Sequence, residues 1–68
     1  MKVAVKIFSG EVKSREVELP DGSAYYDLLD LLQINPETVV VFKKGIPVAF
    51  DAPMDATPLE IMRVVSGG

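Results

Sequence analysis

The chain has 68 residues, of which 49% are apolar and 25% are charged, and its formal net charge is −3. A chain of this length supports one domain with one modest hydrophobic core. It contains no cysteine and no histidine, so disulfides, thiolate metal sites, a thiol nucleophile and the usual general base are all excluded. We therefore expect a single domain that is not an enzyme and that holds neither a metal ion nor a bound cofactor.

The charge balance also bears on partners and location. Ten acidic residues against seven basic ones disfavour nucleic acid and anionic membranes as partners. No apolar run reaches the ~18 residues that a membrane-spanning helix needs. The opening Met1-Lys2-Val3 leads into no uninterrupted apolar stretch of the kind that a signal peptide contains. We expect a cytoplasmic protein that binds neither nucleic acid nor membrane.

The first nineteen residues are patterned as a β-hairpin. Val3, Val5 and Ile7 alternate with other side chains, which is the period of a half-buried strand. Ser9-Gly10 supplies a turn, since glycine tolerates positive φ. A second strand is predicted over 11–19, with alternate side chains again on one face.

A short amphipathic helix is predicted next. Pro20-Asp21-Gly22 ends the hairpin, because proline has no N–H to donate to the sheet. Ser23 is the predicted helix N-cap, its hydroxyl placed to accept from the first turn. The apolar stripe of the helix follows the i, i+3, i+4, i+7 spacing and consists of Tyr25, Leu28, Leu29 and Leu32. Asn35-Pro36 is expected to close the helix.

The second half of the chain is predicted to return to strands. Thr38 to Lys43 is a β-branched run, and Ile46 to Phe50 is a shorter strand whose Pro47 implies an edge position. A connecting loop over 51–58 leads to a final apolar strand, Leu59 to Val65.

The element order predicts an α+β fold of the β-grasp type. We write it as ββαββ, with four strands in a mixed sheet packed on one helix. The first and last strands are expected to be parallel neighbours, because the chain needs a long crossover to bring its two ends together. The predicted core consists of Val3, Val5, Ile7, Val17, Leu19, Leu28, Leu32, Val41, Leu59 and Ile61.

The order of elements and the C-terminal residues together resemble those of the ubiquitin-like proteins of prokaryotes. These are the small archaeal modifier proteins and the sulfur carriers of thiamine and molybdopterin synthesis, ThiS and MoaD. The resemblance covers the whole chain and is carried by the terminal run Leu59-Glu60-Ile61-Met62-Arg63-Val64-Val65-Ser66-Gly67-Gly68 and by Tyr25-Tyr26-Asp27-Leu28, Asn35-Pro36, Lys44-Gly45 and Asp51. It implies a ubiquitin-like β-grasp domain over 1–65 and a flexible Gly-Gly tail over 66–68.

The resemblance also implies a function for the chain end. In the family, an activating enzyme uses ATP to adenylate the terminal glycine, here Gly68, with Gly67 as its required neighbour. The product becomes either a thiocarboxylate that donates sulfur or an isopeptide bond to a target lysine. The partners implied are the adenylating enzyme and either target-protein lysines or a sulfur-acceptor enzyme. The residues do not separate sulfur carrier from modifier, and a non-catalytic β-grasp interaction module is the alternative.

A recognition surface is predicted from strand alternation. If Val39, Val41, Leu59 and Ile61 face the helix, the side chains between them face away. If the strands predicted at 38–43 and 59–65 are adjacent, they would then form one apolar patch from Val40, Phe42, Met62 and Val64. Arg63 is a further candidate, either as a contact to acidic groups of the activating enzyme or as an ordinary solvated strand residue.

Overall fold

The computed structural model describes residues 1–64, and the predicted tail at 66–68 lies outside the described residues, as does Val65. The described elements are the strands β1 (Lys2–Phe8) and β2 (Val12–Glu18), the helix α1 (Tyr25–Leu31), a 3₁₀ turn (Pro36–Thr38), and the strands β3 (Val39–Lys43), β4 (Ile46–Pro47) and β5 (Leu59–Arg63). No helix in this part of the chain has the length and apolar character needed to span a bilayer.

The strands form one mixed sheet in the order β2-β1-β5-β3-β4. β1 and β5 are parallel neighbours, and the other adjacent pairs are antiparallel. The β-grasp fold and its parallel pair are thereby confirmed. The expected count of four strands in the sheet was wrong, because the short strand predicted at 46–50 joins the sheet edge as β4, where Ile46 and Pro47 pair with Lys43 and Phe42. The strand predicted over 46–50 extends only over Ile46–Pro47, although the Val48 N–H still donates to the Val41 carbonyl oxygen at 3.0 Å.

One face of the sheet shares a hydrophobic core with α1. Eight of the ten predicted core residues are buried, whereas Ile7 and Leu32 are only partly buried and pack against the core. The helical stripe is confirmed, since Tyr25, Leu28 and Leu29 are almost completely buried. Met54 adds a buried side chain from the loop before β5.

Both ends of α1 differ from prediction. Ser23 is not the N-cap, because its hydroxyl donates to the carbonyl oxygen of Pro20 at 2.7 Å. The N-cap residue is Ala24, whose backbone N–H donates to Asp27 Oδ2 at 2.9 Å. At the other end the helix stops at Leu31, before Asn35-Pro36, and Gln33 takes a φ of +57°. This left-handed backbone redirects the chain away from the helix axis.

Candidate functional site

Four apolar side chains lie in register across the sheet face that points away from α1. Val40 of β3 is opposite Met62 of β5, Met62 is beside Phe8 of β1, and Phe8 is opposite Val12 of β2. Residues opposite one another in register share a face of the sheet. Met62 follows the buried Ile61, so this face is the outer one. We call these four residues, Val12, Phe8, Met62 and Val40, the outer row.

The outer row is accessible. Val12 is 61% exposed and Met62 is 43% exposed, while Phe8 and Val40 are partly buried by their neighbours. Val64, directly after β5, is 55% exposed. Single exposed apolar side chains are ordinary, but a contiguous set crossing four strands is typical of a contact surface.

Three of the predicted recognition residues share the outer face. Val40 and Met62 are direct cross-strand partners, and Phe42 lies on the same face opposite Glu60 and Pro47. Val64 continues the chain from β5, and its N–H donates to the carbonyl oxygen of Thr38 at 2.9 Å. Gly67 and Gly68 lie outside the described residues. That a partner contacts this patch stays a prediction.

Arg63 is placed apart from the patch. It pairs in register with the buried Val39, so its side chain belongs to the face of α1 rather than to the outer face. There it lines a cleft of about 200 Å³ whose other walls include Ile7, Ile34 and Asn35. Phe8 of the outer row also lines this cleft, so Arg63 lies close to one end of the row although its side chain belongs to the other face.

Phe8 and Val12 were missed as candidate recognition residues. Phe8 stands in the outward phase of β1, with Lys2, Ala4 and Lys6, so the alternation of the first strand carried the signal. Alternation gives the face of Phe8 but not its neighbour on another strand. The register of β1 against β5 places Phe8 beside Met62. Val12 joins the row through the hairpin pairing.

The charges beside the outer row are mixed in sign. Lys6 is the register neighbour of Glu60 across the parallel pair, and Lys2 is opposite Glu18 in the hairpin. Opposite charges facing one another across strands are favourable and leave little net field. The outer face therefore offers apolar contact bordered by charges of both signs rather than a basic surface for phosphates.

An exposed ion pair holds the loop that leads into β5. Lys43 Nζ lies 3.1 Å from Asp55 Oδ2, and the Thr57 N–H donates to Asp55 Oδ1 at 3.0 Å. The hydrogen bonds from Thr57, with that from Lys43, lower the pKa of Asp55 to about 2. The hydrogen bond to Asp55 in turn raises the pKa of Lys43. Within residues 1–64, no three acidic side chains are grouped so that they could hold a metal ion.

The sequence of the chain matches those of known proteins. The sequence profile described as small archaeal modifier protein 2 matches residues 1–65. The chain is 29% identical over 68 residues to small archaeal modifier protein 2 of Haloferax volcanii, and 43% identical over 68 residues to an uncharacterised protein of Archaeoglobus fulgidus. Each alignment covers the whole of both proteins.

A solved structure agrees with the fold. A ubiquitin-like protein from the hyperthermophilic archaeon Caldiarchaeum subterraneum superposes with a TM-score of 0.63, covering 98% of this chain and all of that one. The two sequences are 14% identical, so this similarity concerns the fold alone. On the profile match over residues 1–65, this ubiquitin-like chain belongs to the small archaeal modifier protein 2 family.

Proposed function

We propose that this chain is a protein modifier that also carries sulfur, and that both activities use the carboxylate of Gly68. A partner enzyme adenylates Gly68 with ATP, and the activated glycine passes either to the amine of a target lysine or to a sulfur nucleophile. The observation that carries the proposal is membership of a modifier family over residues 1–65. The outer row supports it, because the row reaches the end of β5, from which the chain continues toward Gly68.

The proposed chemistry needs no acid or base from this chain. One carboxylate oxygen of Gly68 attacks the α-phosphorus of ATP, the bond between the α- and β-phosphates breaks, and pyrophosphate leaves. A lysine amine that attacks the acyl-adenylate expels AMP and leaves an isopeptide bond. A hydrosulfide-type nucleophile expels the same AMP and leaves a thiocarboxylate. Glycine at both final positions keeps the approach to the carbonyl carbon unhindered, since it has no Cβ.

In this proposal the domain serves to present its end to the enzyme. The outer row supplies apolar area for docking, and the residues after Val64 cross from the docked face to the nucleotide. The matched charges around Lys6 and Glu60 keep the surrounding face from repelling either sign strongly. Binding energy gained at the face is used to hold the carboxylate in place, which is how remote contacts accelerate a reaction.

The test is ATP–pyrophosphate exchange with the cognate activating enzyme, alongside thermal melting. Deleting Gly68 moves the carboxylate back by up to ~3.6 Å of chain, and adding one residue after Gly68 converts that carboxylate into an amide. Both variants should lose exchange and keep the melting temperature of the unmodified chain. Lys13→Ala, an exposed change on β2, should alter neither quantity.

Intact mass of the protein from its native cells then separates the two uses of the adenylate. A mass gain equal to the exchange of one oxygen for sulfur identifies the carrier. Gly-Gly remnants on the lysines of other proteins identify the modifier. Full exchange activity from the Gly68 deletion would refute both, leaving a β-grasp interaction module without tail chemistry.

A further inference from the structure

The last described residue is tied to the turn that precedes β3. Val64 N–H donates to the carbonyl oxygen of Thr38 at 2.9 Å. This hydrogen bond lies one step beyond the Val39–Arg63 pair, so it extends the β3–β5 pairing past the end of both strands. Four residues follow Val64, which keeps Gly68 within about 14 Å of this anchor.

Thr38 is itself held by Asn35. The carbonyl oxygen of Asn35 accepts from the Thr38 N–H at 3.1 Å and from the Thr38 hydroxyl at 2.8 Å. The side-chain Oδ1 of Asn35 accepts from the Glu37 N–H at 3.0 Å and so caps the 3₁₀ turn. Pro36 at the first position of the turn has a fixed φ and needs no partner for an N–H.

We propose that the Asn35–Thr38 turn positions the reactive end of the chain, with Asn35 and Thr38 as positioning residues that act through Val64. The inference rests on the proposed function, because positioning matters only if the carboxylate of Gly68 is activated. The turn orients the Thr38 carbonyl, the carbonyl holds the Val64 amide, and the amide sets where the following residues leave the sheet.

The anchor is consequential because it limits the reach of the chain end. While Val64 is held, four residues span to Gly68, and release of Val64 adds one more residue, up to ~3.6 Å, which is comparable to the ~3.5 Å approach that reacting atoms require. Asn35 lines the cleft on the face of α1, and of the outer row only Phe8 lines that cleft as well. Val12, Val40 and Met62 lie on the opposite face, so loosening the turn should change the reaction step and leave docking of these three residues intact.

The experiment measures kcat and KM for adenylation of the full chain by the activating enzyme. Asn35→Ala removes the cap of the turn and should lower kcat by tenfold or more with KM within twofold of the unmodified chain. Asn35→Asp keeps a side-chain oxygen acceptor and should restore most of the rate. Glu37→Ala is the matched control on the same turn, since Glu37 contributes only its backbone N–H to the cap.

Hydrogen exchange at the Val64 amide reads the anchor directly. Protection should fall in Asn35→Ala and return in Asn35→Asp. If Asn35→Ala does not fold, Thr38→Val deletes only the hydroxyl bond to Asn35 and should show the same kcat loss in weaker form.

Three results would overturn the proposal: an unchanged kcat in folded Asn35→Ala, a rise in KM alone, which would place Asn35 in contact with the enzyme, or an unchanged Val64 exchange rate. These failures are distinct from failure of the proposed function, in which the unmodified chain is itself not adenylated.

Discussion

Truncation of Ile61 to alanine, compared with truncation of its neighbour Met62, tests which face of β5 belongs to the core. Ile61 has no exposed surface and lies in register between Ile7 and Val41. Removing buried methyl and methylene groups costs the transfer free energy and leaves a cavity, together roughly 2–5 kcal/mol for isoleucine to alanine. A domain of this size has a free energy of unfolding of roughly 3–10 kcal/mol. Ile61→Ala should therefore remove a large share of it.

Met62 provides the matched control on the same strand. It is 43% exposed, so about half of the ~1.5–3 kcal/mol of a fully buried side chain is at stake, or about 1 kcal/mol. Urea unfolding followed by circular dichroism measures both variants. We expect Ile61→Ala to lower the free energy of unfolding at least twice as much as Met62→Ala does. The melting temperature of Ile61→Ala should lie at least ~8 °C below that of the unmodified chain. Equal losses, or a larger loss from Met62→Ala, would show that the facing of β5 is wrong.

Three further predictions concern the outer row, the helix cap and the loop ion pair. Met62→Glu should lower the melting temperature by no more than about 4–8 °C. It should raise KM for adenylation at least tenfold, because a carboxylate would have to be desolvated at the docking surface; unchanged KM would exclude the outer row from docking. Asp27→Ala should cost about 0.5–2 kcal/mol in urea unfolding, since it frees the Ala24 N–H, whereas Asp30→Ala on the same helix should cost less; equal costs would contradict the capping role. The side chain of Asp55 should titrate by NMR with a pKa near 2. Because this pKa is depressed on folding, the carboxylate stabilises the fold above the pKa of an unfolded aspartate, about 4, and that stabilisation is lost as pH falls toward 2. A midpoint near 4 would contradict the hydrogen bonds that Asp55 accepts from Thr57 and Lys43.

Local pattern was sufficient for the elements whose side chains repeat with a regular period. The alternation of Val3 and Val5 and the helical spacing of Leu28 and Leu29 both identify residues that the structure buries. These patterns work because one face of each element must leave water, whatever the element packs against. The position of Pro47 at a sheet edge follows equally locally, from its missing N–H.

Hydrogen-bond competition among neighbouring residues was less accessible from sequence. Ser23 has the composition of a cap, yet its hydroxyl is used by the Pro20 carbonyl, and the carboxylate of Asp27 serves the helix start instead. Asn35 looked like a helix terminator and caps the next turn. Such choices depend on which donors and acceptors the folded backbone brings within hydrogen-bond distance, which residue type does not specify.

The residues of the candidate contact surface also fall into those that the sequence places and those that only the tertiary structure places. Sequence alone determined that Val40 and Met62 face away from the core, because Val40 stands between Val39 and Val41, and Met62 alternates with Leu59 and Ile61, all of which are buried. Alternation with Met62 likewise gives the face of Arg63. Only the tertiary structure brought Phe8 and Val12 into the same row and placed Arg63 beside Asn35. Register between strands far apart in the chain is set by the packing of the whole core, and a shift of one residue would exchange the two faces.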